Sequence, residues 1–201
     1  MRVGFGSVVL GAGLSAILSF IFLALAVGTD YWYIIEDKRT NHTEPQHVHS
    51  GLWGVETDEQ PFTEDPPKIS ESEKHMQNMH NVIAVLLPLS LVLLVFGGIC
   101  GMVSSLARSR LLLMGTASYF LLCSLLTVSG VSLYISYSQK ALEEAKIRIG
   151  LEQMAMVHTS FGWSMGLAWL SFILEMITGL LLLLAAWMVQ LVQYQETVAP
   201  I

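Results

Sequence analysis

Glu175 is the one acidic or basic residue inside four long apolar stretches that make up more than half of this chain. A carboxylate at the middle of a membrane helix costs roughly 2.5 to 3.5 kcal/mol on insertion scales, so it is read first as a functional group. No Lys, Arg or His lies in any of the predicted spans to pair with it. Two uses stay open: a protonated carboxyl hydrogen-bonded to hydroxyls of neighbouring helices, with Thr127 and Ser129 as candidate partners, or docking on a partner's helix. A proton relay needs a chain of such groups, and this sequence has one.

Other chemistry has less to stand on. All six histidines fall in the polar segments or at their edges, and His47-x-His49 lacks the third well-spaced ligand a metal ion needs. There is no nucleophile motif, glycine-rich phosphate loop or paired carboxylate in a pocket-forming context. A transporter or pore would want inverted repeats, broken helices or several pore-lining charges. The expectation is therefore a protein that is not an enzyme, with no catalytic residue, no metal, no cofactor and no nucleic-acid partner.

The elements that carry Glu175 follow from solvent. The uncharged stretches cover residues 3–29, 81–107, 111–139 and, Glu175 apart, 153–195. About 20 apolar residues cross roughly 30 Å of hydrocarbon, and each stretch exceeds that. With 201 residues, 53% of them hydrophobic, little remains for a separate soluble domain. A single membrane domain is expected, with spans near 5–29, 82–106, 111–138 and 161–189, outer loops at 30–80 and 139–160, and a connector at 107–110. In lipid every backbone N–H must be satisfied internally, and because the stretches are long and rich in Leu and Ala, helices are required and a barrel is excluded. The first stretch, preceded by Arg2 and containing Ala24-Leu25-Ala26, has some marks of a cleaved signal peptide. Its apolar run is far longer than a signal core of about 7 to 15 residues, so an uncleaved span is the reading taken.

Orientation comes from the loops. The connector between spans two and three carries Arg108 and Arg110 without an acid, whereas the first loop holds eleven acidic residues against four basic ones. Lysine and arginine concentrate on the cytoplasmic side, which puts the connector and both termini there and the long loop outside, with the plasma membrane as the expected location. Asn41-His42-Thr43 is a glycosylation sequon in that outer loop, and Asn41 is the expected glycan site.

Lipid gives helices no hydrophobic reason to associate, so small residues and polar cross-links must do it. Ser7, Gly11, Ser15 and Ser19 recur every fourth residue in span one; Gly97, Gly101 and Ser105 do so in span two, and Gly162 and Gly166 in span four. Internal packing is the favoured use and a partner's helix the other. The segment 138–160 reads as a continuation of span three: Leu142, Ala145 and Ile149 keep helical spacing, Lys140/Glu144 and Glu144/Arg148 stand four apart, and Gly150 would end it. It would form a shelf for the first loop or a solvated turn without a partner.

Thr29-Asp30-Tyr31-Trp32 closes span one, and His49-Ser50-Gly51-Leu52-Trp53 follows in the long loop. A Trp just past the first span and a later Gly-Leu-Trp resemble the peripheral myelin protein, claudin and calcium-channel gamma-subunit superfamily. Leu133-Tyr134-Ile135-Ser136 and Phe161-Gly162-Trp163-Ser164 resemble the gamma-subunit branch more than the claudins. Leu87-Pro88-Leu89-Ser90-Leu91 and the run from Val131 through Ser138 match a smaller branch of four-span proteins within the same superfamily. The resemblance covers all four spans. It implies an all-α membrane protein, a claudin-like bundle of four transmembrane helices. It also implies a small extracellular β-sheet in the first outer loop, with Trp32, Gly51, Leu52 and Trp53 as the outer-loop motif.

One departure leaves the completeness of that sheet open. The superfamily pattern has a Cys three residues after Gly-Leu-Trp and a second Cys further on, joined as a disulfide. Here Glu56 takes the first position and 57–73 contains no Cys. No disulfide is expected, and the two cysteines, Cys100 and Cys123, lie in spans two and three as small apolar packing residues. A staple closing roughly ten residues is worth on the order of 2 to 3 kcal/mol, which packing must replace. Pro61, Pro66 and Pro67 among many acids point to a loose 56–73. Trp32 and Trp53 also suit the headgroup level as plain interface anchors. The functions in view are an accessory subunit of a channel or receptor acting through helix contacts, and a claudin-like junction or adhesion protein. A homo-oligomer is compatible with either. Val198-Ala199-Pro200-Ile201 lacks the Ser or Thr of a claudin-like scaffold-binding tail.

Overall fold

A computed structural model describes residues 4–37, 46–53, 55–56, 71–149 and 157–198. In chain order the elements are α1 (Phe5–Gly28), β1 (Tyr33–Asp37), β2 (Gln46–Ser50), β3 (Val55–Glu56), α2 (Glu71–Ala107), α3 (Arg110–Ile149), β4 (Val157–Phe161) and α4 (Trp163–Val198). All four helices are long and apolar enough to cross a membrane. At 1.5 Å per residue, the 37 residues of α2 and the 40 of α3 outrun the hydrocarbon, so both continue beyond it.

Which side chains face outward agrees with lipid as solvent. Leu10, Val85, Met102, Leu111 and Leu122 are each more than half exposed, while Ser15, Ser19, Ser90, Thr127 and Ser171 are buried. A water-soluble bundle would show the reverse pattern.

The chain packs as two compact units. The first comprises 1–24, 89–128 and 169–201, so it takes a segment from each of the four helices. Its close approaches use glycines: Gly97 lies against the Tyr119 and Phe120 rings, Gly11 against Leu181 and Gly179 against Leu121. The α2–α3 connection is only Arg108 and Ser109, with Arg108 in the left-handed region at φ 47°. This tight reversal holds the two helices antiparallel, and the Ser104 and Thr116 hydroxyls, 2.7 Å apart, tie them near the turn.

The second unit comprises 25–88 and 129–168. On α2 it ends at Pro88, the proline inside that helix, which cannot donate to the carbonyl one turn earlier. Its four-stranded antiparallel sheet has the order β3-β2-β1-β4. Tyr33 pairs with Ser50 on one side and with Phe161 on the other, and Glu56 stands opposite His49. The sheet expected in the first loop therefore takes a further strand, Val157–Phe161, from the segment between α3 and α4, which the helical reading of 138–160 did not include. Gly150 and the stretch 57–70 lie outside the described residues.

Candidate functional site

In the first unit the burial of Glu175 is solved by hydroxyls. Ser90 Oγ on α2 lies 3.1 Å from Thr127 Oγ1 on α3. Thr127 donates to the Glu175 carboxyl on α4, at 3.0 Å from Oε1 and 3.1 Å from Oε2. Ser171, one turn earlier on α4, is 3.4 Å from Oε1. Ser171 and Ser19 of α1 then bond reciprocally: each hydroxyl reaches the other's carbonyl, at 2.9 and 3.1 Å, and the two oxygens are 2.9 Å apart. One chain of polar groups thus runs through all four helices with the carboxyl at its centre. Glu175 and its hydroxyl partners are fully or almost fully buried. One helical turn further along, Ser15 and Thr178 meet at 2.7 Å and join α1 to α4 again. In a medium without water, each such bond replaces an unsatisfied group, which is why polar side chains hold membrane helices together.

In the second unit the problem is the end of α1. A helix leaves its last four carbonyls without intrahelical partners. Thr29 Oγ1 donates to the Leu25 carbonyl at 2.6 Å, Trp32 Nε1 to Ala26 at 2.7 Å, and Trp53 Nε1 to Val27 at 2.8 Å. Two indoles and a hydroxyl therefore satisfy three consecutive carbonyls. Trp32 is completely buried, its ring 4.8 Å from that of Tyr134 on α3, so it is a core residue rather than an anchor at the headgroups. Trp53 keeps 61% of its surface exposed and is the one of the pair placed as an anchor could be. Leu52 is fully buried between them in sequence, and Gly51 sits so close to Asp30 that a Cβ there would overlap its side chain. The same device recurs at the start of α4. Gly162 N–H donates to the Trp32 carbonyl at 3.0 Å, the Thr29 and Ser164 hydroxyls are 2.8 Å apart, and a Cβ on Gly162 would overlap the Tyr31 carbonyl.

This arrangement can be set beside known proteins. A family model described as PMP-22/EMP/MP20/Claudin tight junction matches residues 17–184. The chain belongs to this family. Within the PMP-22/EMP/MP20/Claudin family it is similar to voltage-dependent calcium channel gamma-3 subunits of Rattus norvegicus, Mus musculus and Homo sapiens, each 28% identical over 185 residues. The match takes in 82% of this chain and 56% of each relative, so the chain spans about half the length of the curated relatives it resembles. It is a multi-pass membrane protein of the claudin family, with the gamma-subunit likeness that the residue motifs imply.

Of the residues singled out in the sequence, Trp32, Gly51, Leu52 and Trp53 come together in the second unit, and Glu175 lies in the first beside Thr127. Asn41 lies outside the described residues, as do the side chains of His47 and His49. Cys100 is exposed on its helix and Cys123 buried, both free. Among the described residues no group of three His, Cys, Asp or Glu could hold a metal ion. Of the small-residue stripes, Gly11, Gly97 and Gly101 meet neighbouring helices, whereas a Cβ on Gly166 would meet nothing. The polar pairs Ser19/Ser171 and Ser15/Thr178 escaped the sequence reading, which treated Ser15 and Ser19 as packing residues. A usable signal was there: Ser171, Glu175 and Thr178 are spaced four and three apart, one face of α4.

Proposed function

We propose that this chain is a non-enzymatic accessory subunit that associates laterally, through its helices, with a channel or receptor in the plasma membrane. The likeness to gamma-3 subunits over 82% of the chain carries the reading, because it extends over most of the chain rather than through one motif. Ser19, Ser90, Thr127, Ser171 and Glu175 are spent on one another inside the bundle, which leaves the lipid-facing, largely apolar surface for a partner. Both termini and the Arg108/Arg110 connector are cytoplasmic, the sheet is extracellular, and Asn41 carries a glycan. Glu175 acts as an internal lock between helices and Trp32, Gly51, Leu52 and Trp53 as the latch of the outer sheet.

Two measurements test this. The tagged full chain, extracted from mammalian cells in mild detergent, should bring down a channel or receptor subunit; repeated recovery of the chain with only copies of itself would count against it. Its glycan should resist endoglycosidase H and vanish in Asn41→Gln. A glycan that stays sensitive would leave the protein in the endoplasmic reticulum, and none at all would reverse the orientation. The claudin-like junction reading is favoured by the paired sheet, which forms without a disulfide; it predicts that the protein gathers where two expressing cells touch and not at free membrane.

A further inference from the structure

A cavity of about 740 Å³ opens in the first unit at one end of the helices. Its position along the membrane normal is given by its lining: Phe5 begins the first span, Arg108 lies in the connector between the second and third, and Gln195 ends the fourth. The cavity is therefore at the boundary of hydrocarbon and headgroups. Among the described residues Arg108 is its one charged lining residue, and the guanidinium sits over the Phe5 ring, 5.5 Å from its centre, which holds the cation at the cavity wall. Met188, Leu191 and Val192 of α4 supply an apolar wall, and Gln193 and Gln195 supply amide donors. The first turn of α1 contains no acidic residue that would compete for the positive charge. The volume lies within the range of about 300 to 1,000 Å³ typical of small-molecule sites.

We propose that this cavity binds an anionic phospholipid, the phosphate on Arg108 and the first part of an acyl chain along Met188, Leu191 and Val192. The chemistry is that of a basic pocket between transmembrane helices at the membrane surface. A zwitterionic lipid would satisfy the apolar wall and bring a phosphate, but also its own cation beside Arg108; a free anion would match the cation and leave the wall wet. The proposal rests on the cytoplasmic placement of this end only for its setting, since anionic lipids are concentrated in that leaflet.

The test uses the purified full chain in a neutral detergent, titrated with phosphatidylserine or phosphatidylcholine, with bound lipid counted by native mass spectrometry. Phosphatidylserine should be retained over phosphatidylcholine by about fivefold, the ratio expected of one arginine beside a headgroup of net negative charge. Arg108→Gln should bring the ratio to about one, and Arg110→Gln, whose side chain does not line the cavity, should leave it unchanged. Gly6 lines the cavity and a Cβ there meets nothing, so Gly6→Leu should fill the space without disturbing the fold and reduce retention of both lipids. Selectivity that survives Arg108→Gln, or that falls equally in Arg110→Gln, would overturn the proposal, as would displacement of phosphatidylserine by an equal concentration of inorganic phosphate. Because the readout needs neither a protein partner nor an orientation, its failure is distinct from failure of the accessory-subunit reading.

Discussion

The two units solve the same problem, polar groups that must not be left bare, with different materials. Within the first, the polar groups are side chains, and they are paired hydroxyl to hydroxyl and hydroxyl to carboxyl across four helices. Within the second, the polar groups are the backbone carbonyls at the end of α1, and they are paired to the indole N–H groups of Trp32 and Trp53 and to the hydroxyl of Thr29. The first solution suits a medium with no water, where helix backbones are already satisfied and only side chains can cross-link. The second suits a helix end, where two nearby side chains and one brought from 26 residues away replace the water that would otherwise reach those carbonyls. Chain connectivity follows the same division. Side-chain pairing needs only neighbouring helices, while the latch needs the loop to fold back, which ties the sheet to the helix.

The sharpest way to break the comparison is to remove the side chain that belongs to both packing and pairing. Trp32→Ala deletes a fully buried indole and uncovers the Ala26 carbonyl, so a loss of about 3 to 5 kcal/mol is expected, large enough to prevent surface delivery. Denaturation of the detergent-purified protein and surface biotinylation would both read it. In the first unit the corresponding change is Glu175→Leu, which leaves Thr127 and Ser171 facing a methyl group at a cost of about 1 to 3 kcal/mol. Glu175→Gln keeps an acceptor and adds donors, and should cost less than Leu and preserve surface delivery. A Gln variant as damaged as Leu would mean that the carboxyl itself, rather than its hydrogen bonds, is needed. Smaller again is the coupling of Ser15 with Thr178: a double-mutant cycle through Ser15→Ala and Thr178→Val should give about 0.6 kcal/mol and no more than about 1.7.

How much of this was legible depended on the range of the interaction. The four spans could be read because apolar runs are local, and Glu175 stood out because one carboxylate in a run of Leu and Ile is visible by itself. Thr127 was within reach because a hydroxyl midway along a neighbouring span is the natural partner of a carboxyl midway along another. The Ser19/Ser171 exchange was not, since a serine at a small-residue position reads equally as a packing residue until its partner helix is placed. β4 was hidden for a stronger reason: the pairing of Ile35 with Thr159 joins residues 124 positions apart, and five residues of strand next to a long helix leave little period to detect. The family motif pointed to Trp32 and Trp53 together, but burial separates them, and burial is set by Tyr134, which lies a hundred residues away.

That separation offers the finest test of the comparison, because Trp→Phe removes an N–H while keeping most of the ring. Trp32→Phe leaves the Ala26 carbonyl unpaired in a fully buried setting, where a stranded acceptor costs about 1 to 3 kcal/mol. Trp53→Phe removes a bond of nearly equal length, yet the donor ring is mostly exposed, so solvent can follow the lost N–H to the Val27 carbonyl. Its cost should be about 0.5 to 1 kcal/mol, the net value of one hydrogen bond exchanged with water. Equal losses from the two variants would mean that water does not reach Val27 and that the latch is as dry as the helix interior. A larger loss from Trp53→Phe would invert the assignment of the two indoles. If instead the expected order holds, two residues that share a type, a donor atom and neighbouring acceptors differ only through the packing around them, and the latch has a buried half that holds and an exposed half that water can relieve.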